Sequence, residues 1–164
     1  MKLSRMMVAA KAGVVAFAVA AFAQPTLADV KVGFSGVMSG PVGILGQEQY
    51  DGFMLAIEEG GGKLGGTTVT VIREDDQLKP DLGVTLAQKL IEKDKVDILA
   101  GLTFSNVLMA VSKPVADSQV ILISTNAGPS DLAGKACNAS FFFPSYQNDV
   151  QAQVLARYAA DHGF

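Results

Sequence analysis

The chain has 164 residues, with 13 basic and 16 acidic side chains, a formal net charge of −3, one cysteine and one histidine. Three of the basic residues (Lys2, Arg5 and Lys11) precede the first acidic one, Asp29, so the part from Asp29 onward carries 10 basic against 16 acidic residues, a formal charge of −6. That balance leaves no basic cluster to follow a phosphate backbone and excludes nucleic acid as an expected partner. The lone Cys137 excludes a disulfide framework or a multi-cysteine metal site within the chain. In an oxidising compartment it reads either as a small buried hydrophobe or as half of a bridge whose partner lies elsewhere.

The first 28 residues have the order of a secretory leader. A basic start is followed by an apolar stretch from Ala12 to Ala23, the breaker Pro25, and small residues ending at Ala28. The apolar stretch is shorter than the roughly 20 residues needed to cross a bilayer, which disfavours an anchor. Cleavage after Ala28 is expected, with a cut after Ala23 as the alternative. Export follows from this reading.

Beyond the leader, strands and helices alternate. Val30–Phe34 reads as the first strand, and a helix follows from about Gly46 to Glu59, with Tyr50, Phe53, Met54 and Ile57 on one face. Gly60–Gly62 ends it. Thr68–Ile72 is a β-branched strand, and Asp81 is expected to cap a second helix whose stripe is Leu86, Leu90 and Ile91, with Lys89, Lys93 and Lys95 toward its end. Asp97–Ala100 is the third strand, a helix runs from about Asn106 to Asp117, and Val120–Ile123 is the fourth strand. Phe141–Phe143 reads as a further short strand. Asn148 or Asp149 is expected to cap a last helix with Val150, Val154, Leu155 and Tyr158 toward a core. Continuous apolar strands between helices predict a doubly wound parallel α/β sheet covered on both faces. The final helix has nothing obvious to pack on, and the sequence reads as cut short.

In such a sheet ligands bind beyond the carboxyl ends of the strands. Four loops lie there: Ser35–Leu45, Asp75–Lys79, Leu102–Asn106 and Ser124–Ser130. Thr103-Phe104-Ser105-Asn106 precedes a helix whose first N–H groups lack partners, and such an end attracts anions. Ser105 therefore has two readings, a helix cap or an extra donor to a carboxylate. The Ser124–Gly128 loop beside it can add donors or simply form a turn.

Enzyme motifs are missing. The glycines of Gly36–Gly43 are wrongly spaced for a dinucleotide fingerprint, Gly62-Lys63 is followed by Leu64 and not by Ser or Thr, and no G-x-S-x-G elbow occurs. The single histidine, His162, stands far from the serine-rich loops. Asp75 and Asp76 read as a solvated loop in preference to a magnesium or phosphoryl site, and Met38, Met54 and Met109 as loop or core filling. No cofactor or metal is expected.

Asp29-Val30-Lys31-Val32-Gly33-Phe34 followed by Met38-Ser39-Gly40-Pro41 resembles the mature start of type 1 periplasmic solute-binding proteins, the leucine/isoleucine/valine-binding group of ABC importers. Glu74-Asp75-Asp76-Gln77, Asp97-Ile98-Leu99-Ala100-Gly101 and Ile123-Ser124 resemble it in the same order and spacing. The resemblance implies two α/β lobes that close by a hinge on a ligand between them. It implies that residues 1–28 are leader, 29–143 an incomplete first lobe, and 144–164 the first crossover and first helix of a second lobe. Ser105 matches the serine that binds the ligand's carboxylate; Asn126 and Gly128 match positions that hold the α-carboxylate and ammonium groups. Leu45 falls where relatives often carry an aromatic pocket residue. Asn126-Ala127-Gly128 with Phe104-Ser105 looks closer to members that bind aromatic carboxylates. The implied ligand is an amino acid or an aromatic carboxylate, and the implied partners are the permease subunits of an ABC importer. A secreted α/β enzyme and an extracellular sensor domain of the same fold are the alternatives.

Overall fold

In the computed structural model, residues 29–164 are described; the leader reading lies outside them. The first strand, β1 (Val30–Gly36), leads into the helix α1 (Gly43–Glu59). The helix begins three residues earlier than the periodicity predicts, because the turn closed by Gly43 N–H donating to Gly40 O starts it. A two-residue strand β2 (Lys63–Leu64) and β3 (Thr67–Asp75) form an antiparallel hairpin. Its two-residue loop is Gly65-Gly66, with φ of 57° and 86°, the geometry that matches strand twist. That glycine pair is a hairpin signal readable in the sequence.

The helix α2 (Pro80–Gln88) continues as a wider π-helical segment, Lys89–Asp94. Its cap is Lys79 and not Asp81, since Pro80, which has no N–H to satisfy, takes the first helical position. Asp81 stands in the first turn, at the positive end of the dipole. The strand β4 (Ile98–Gly101), the helix α3 (Ser105–Ala116) and the strand β5 (Ile121–Ser124) follow. A four-residue helix α4 (Ser130–Ala133) occupies what the sequence suggested was loop, before β6 (Phe141–Phe142) and α5 (Asn148–Asp161). The cap of α5 is Gln147, so neither Asn148 nor Asp149 has that role, and no side chain caps the helix.

The sheet order is β2-β3-β1-β4-β5-β6, all parallel except β2. It is a doubly wound α/β sheet, as expected. Register assigns the faces. Gly33, Leu99 and Leu122 point toward α2 and α3, where Leu90, Val107, Leu108 and Val111 complete the larger core. Val32, Phe34 and Ala100 point the other way, where Tyr50 and Phe53 of α1 cover them. The Phe34 ring centroid lies 5.3 Å from each of these two rings. Each fully buried Leu or Phe contributes about 1.5–3 kcal/mol.

Both faces are not covered along the whole sheet. Val32 pairs with Ile98, Ile98 with Ile121, and Ile123 with Phe142, so these side chains share the α1 face. The helix α1 reaches only the first strands, and Ile121 and Phe142 are left 39% and 52% exposed. β3 alternates in burial where a continuous core strand was expected. Val150, Val154, Leu155 and Tyr158 of α5 are all exposed instead of facing a core. Met38 is buried and Met109 lies on the surface, so only the first of these fills the core. Cys137 is exposed, which removes the buried reading of its thiol.

Candidate functional site

The carboxyl ends of β1, β3, β4 and β5 lie side by side, and their loops form one rim. Backbone bonds bring the loops into step: Asp76 N–H donates to Gly36 O at 3.0 Å, Leu102 N–H to Ser35 O at 2.6 Å, and Thr125 N–H to Gly101 O at 2.8 Å. Gly101 has φ of 100°, and a side-chain carbon there would stand 2.3 Å from Ser35 O. Only glycine lets β4 end this close to β1. Leu102 follows with φ of 60°, a left-handed conformation sparsely used by branched residues, at the point where the chain turns toward α3.

Side chains then lock the rim. The buried Thr103 hydroxyl accepts Val37 N–H at 3.4 Å, and Asn126 Nδ2 donates to Thr103 O at 2.7 Å. The Thr125 hydroxyl donates to Gln49 Oε1 at 2.8 Å, tying the β5 loop to α1. Ser124 Oγ donates to Ala127 O at 2.6 Å and fixes the curl of the same loop.

Ser105 is the first residue of α3, and the cap is Phe104, whose side chain makes no capping bond. Helical bonding starts with Leu108 N–H donating to Phe104 O, so the N–H groups of Ser105, Asn106 and Val107 precede the first helical bond. The capping reading of Ser105 is thereby overturned. Its hydroxyl instead accepts a hydrogen bond from Asn148 Nδ2 at 2.9 Å. Asn148 N–H also donates to Gly128 O at 2.9 Å. A side-chain carbon on Gly128 would stand 2.2 Å from Tyr146 O, so the β5 loop and the segment before α5 meet backbone to backbone.

The structure thus brings Ser105 and Gly128 together through Asn148, and Asn126 and Ala127 into the same rim through Thr103 and Ser124. Phe104 is half-buried beside Ser105. Leu45 is exposed on α1, one turn before Gln49, on the helix side that approaches the Thr125 loop. Gln49 and Asn148 are rim residues that the sequence analysis missed. Gln49 lies in a run of polar residues that looks like a solvated helix face, and Asn148 looked like a cap.

The electrostatics of the rim centre on Asp75 and Asp76. Burial pushes the Asp75 carboxyl up, but hydrogen bonds from the Ser39 side chain and from the N–H groups of Met38 and Gln77 outweigh it, and the net shift is downward. The Met38 and Gln77 bonds are 2.8 and 2.9 Å. Asp76 is buried, which raises its carboxyl; the bond from Leu78 N–H opposes the rise and the charge of Asp75 adds to it. Its Oδ2 has no hydrogen-bond partner among the described residues. Lys89 is shifted upward, chiefly by its hydrogen bond to Glu74, against some loss from burial.

No group of three or more His, Cys, Asp or Glu side chains that could hold a metal occurs among the described residues. Nor is any described helix long and apolar enough to cross a membrane. A hollow of about 390 Å³ lined by Gln88, Ile91, Glu92, Pro114, Asp117 and Ser118 lies at the opposite end of the sheet from the rim. Its walls are helix C-termini with two carboxylates, a poor setting for an anion.

Known proteins share this arrangement. The periplasmic binding protein family matches residues 29–164. The Leu/Ile/Val-binding protein homolog 6 of Brucella abortus is 35% identical over 136 residues, which is 82% of this chain and 34% of the relative. A solute-binding protein of an ABC transporter from Rhodopseudomonas palustris, solved in complex with 4-hydroxybenzoate, is 34% identical with a TM-score of 0.71, covering 82% of this chain and 36% of that one. Another from Rhodopseudomonas palustris BisB5, in complex with 3,4-dihydroxybenzoic acid, has a TM-score of 0.75 at 27% identity, covering 82% of this chain and 37% of the other. The chain spans about a third of the length of these relatives. With its sheet order, its rim of strand-end loops and a match over residues 29–164, the chain belongs to the periplasmic binding protein family, and it is similar to Leu/Ile/Val-binding proteins within it.

Proposed function

We propose that this chain supplies one wall of the ligand cleft of an exported solute-binding protein, which captures a small carboxylate-bearing molecule and delivers it to the permease subunits of an ABC importer. In this reading residues 1–28 direct export to the periplasm, 29–143 form the first lobe, and 144–164 lead toward a second. The protein binds and releases its solute without chemical change.

The observation that carries the reading is the start of α3. The N–H groups of Ser105, Asn106 and Val107 stand ahead of the first helical bond, at the rim, with the Ser105 hydroxyl beside them. Donors of this kind suit an anion, and hydrogen bonds to a charged group are the strong ones. The Asn126–Gly128 loop adds backbone groups next to this point, and Phe104 and Leu45 supply apolar surface for the solute's body. The two benzoate-type complexes among the relatives favour an aromatic carboxylate, and the leucine/isoleucine/valine relatives an amino acid.

Calorimetric titration of the full-length protein with 4-hydroxybenzoate, benzoate and isoleucine tests the proposal. Saturable binding to at least one is expected, weakened about tenfold or more by Ser105→Ala, as a charge-assisted hydrogen bond predicts. Binding that Ser105→Ala leaves unchanged removes Ser105 from the site. Turnover of any of these compounds would reassign the protein to the enzymes.

A further inference from the structure

We infer that Asn148 is a positioning residue for the carboxylate donor Ser105; the inference rests on the ligand-binding reading just given. Two bonds from one residue carry it. Asn148 Nδ2 donates to Ser105 Oγ at 2.9 Å, and Asn148 N–H donates to Gly128 O at 2.9 Å. The residues lie 43 positions apart in sequence, and Asn148 is the first residue of α5.

The direction of the side-chain bond matters. A serine hydroxyl has one hydrogen to donate and two lone pairs that accept. Because Asn148 donates, it occupies a lone pair and leaves the Ser105 hydrogen available for an anion. That hydrogen can then join the N–H groups at the start of α3 in meeting an anion. Accepting a bond also polarises the O–H, so the donation to a carboxylate is strengthened. Without Asn148 the hydroxyl is free to rotate, and its hydrogen can turn to a backbone carbonyl of its own neighbourhood.

The backbone bond explains why Asn148 can do this from a distant segment. Gly128 meets Tyr146 O so closely that no side chain fits between them, which holds the chain before α5 against the β5 loop. The backbone contact thereby sets Asn148 beside Ser105, within reach of its side-chain amide. A ligand held by Ser105 is consequently held by an atom whose orientation depends on the segment 146–148.

A double-mutant cycle in the full-length protein, titrated with 4-hydroxybenzoate and separately with isoleucine, tests this. Asn148→Ala is expected to weaken binding about fivefold to tenfold in the native background and to have no further effect in Ser105→Ala. Asn148→Asp keeps the size and the backbone bond but turns the side chain into an acceptor that captures the Ser105 hydrogen. It should weaken binding more than alanine does, and the share of that loss that disappears in the Ser105→Ala background is the captured hydrogen, because repulsion between the new carboxylate and the anion persists there. Thermal unfolding of each variant confirms that all are folded. If Ser105→Ala weakens binding and Asn148→Ala is simply additive with it, the positioning role is overturned while the carboxylate reading stands. If Ser105→Ala has no effect, or neither probe binds, the carboxylate reading falls and this inference with it.

Discussion

Thr125 and Gln49, 76 residues apart in sequence, are joined by a hydrogen bond of 2.8 Å that ties the loop after β5 to the helix after β1. It is the side-chain bond that fixes α1 against the far loop of the rim. Thr125→Val keeps the shape and removes the donor, leaving Gln49 Oε1 to water. A loss of about 1 kcal/mol is expected from Thr125→Val or from Gln49→Ala, with the double variant no worse than the more damaging single one. Urea unfolding of the three proteins measures it; full additivity would mean that the bond contributes nothing.

Gly128→Ala is expected to be costly although it adds a single methyl group. The new carbon would lie 2.2 Å from Tyr146 O, and backbone on both sides has to move. Overpacking of this kind costs about 1–3 kcal/mol, and here the strain falls on the contact that delivers Asn148. Amide exchange should show faster exchange at Asn148 together with the stability loss. An unchanged Asn148 amide would mean that its bond to Gly128 O does not depend on this close contact.

Leu90 opens into the larger core and lies within 3 Å of where a side-chain carbon on Gly33 would stand. It is fully buried, at the point where α2 widens into the π-helical segment. Leu90→Ala should cost about 3.5 kcal/mol, near the middle of the range for buried leucines, as the wide turn limits collapse into the space left behind. A loss below about 1 kcal/mol in chemical denaturation would show that the turn relaxes to fill it.

The two neighbouring carboxylates should respond to pH with opposite signs. Asp75 is held below its ordinary value of 3.8, so its stabilising contribution is present above that value and is lost as pH falls through the folded value. Asp76 is held above 3.8, so its contribution is complete below that value and is lost as pH rises through the folded one. Asp75→Asn should therefore destabilise at neutral pH by about 1 kcal/mol, discounted for solvent, with the deficit closing in acid. Asp76→Asn replaces a buried charge by a neutral amide that still accepts Leu78 N–H. It should be neutral or stabilising at pH 7 and lose that advantage in acid. Unfolding curves for the two variants from neutral to acid pH would show the crossing; parallel curves would contradict it.

Much of the fold was legible because its strands are short apolar runs separated by helices with clear apolar stripes. Val30–Phe34, Asp97–Ala100 and the helix ending at Glu59 lie within a few residues of their observed places. The misses share a cause, which is that local signals admit more than one partner. Ser105, Asp81 and Asn148 all have cap-forming side chains, yet the caps are Phe104, Lys79 and Gln147. Backbone geometry alone starts each helix, and the three polar side chains are left for other work. The sheet's uncovered side was equally invisible, because register decides which of Ile121 and Leu122 lies under a helix. The rim residues could be named from loop position and resemblance, but Gln49 and Asn148 become visible only when distant segments are brought together.

Among the described residues, β6 is a strand with little to hold it. It is two residues long and, among the described residues, pairs only with β5, with Phe142 exposed. β1 and β4 are paired on both sides and carry the most buried side chains. Local opening starts where few apolar contacts resist it. Fraying at β6 would therefore run along residues 143–147 only as far as the bond from Asn148 N–H to Gly128 O, while β1, β4 and α3 remain intact. That single backbone bond is then the latch that keeps Asn148 at Ser105 when the sheet's edge moves, at a small fraction of the free energy needed to unfold the core.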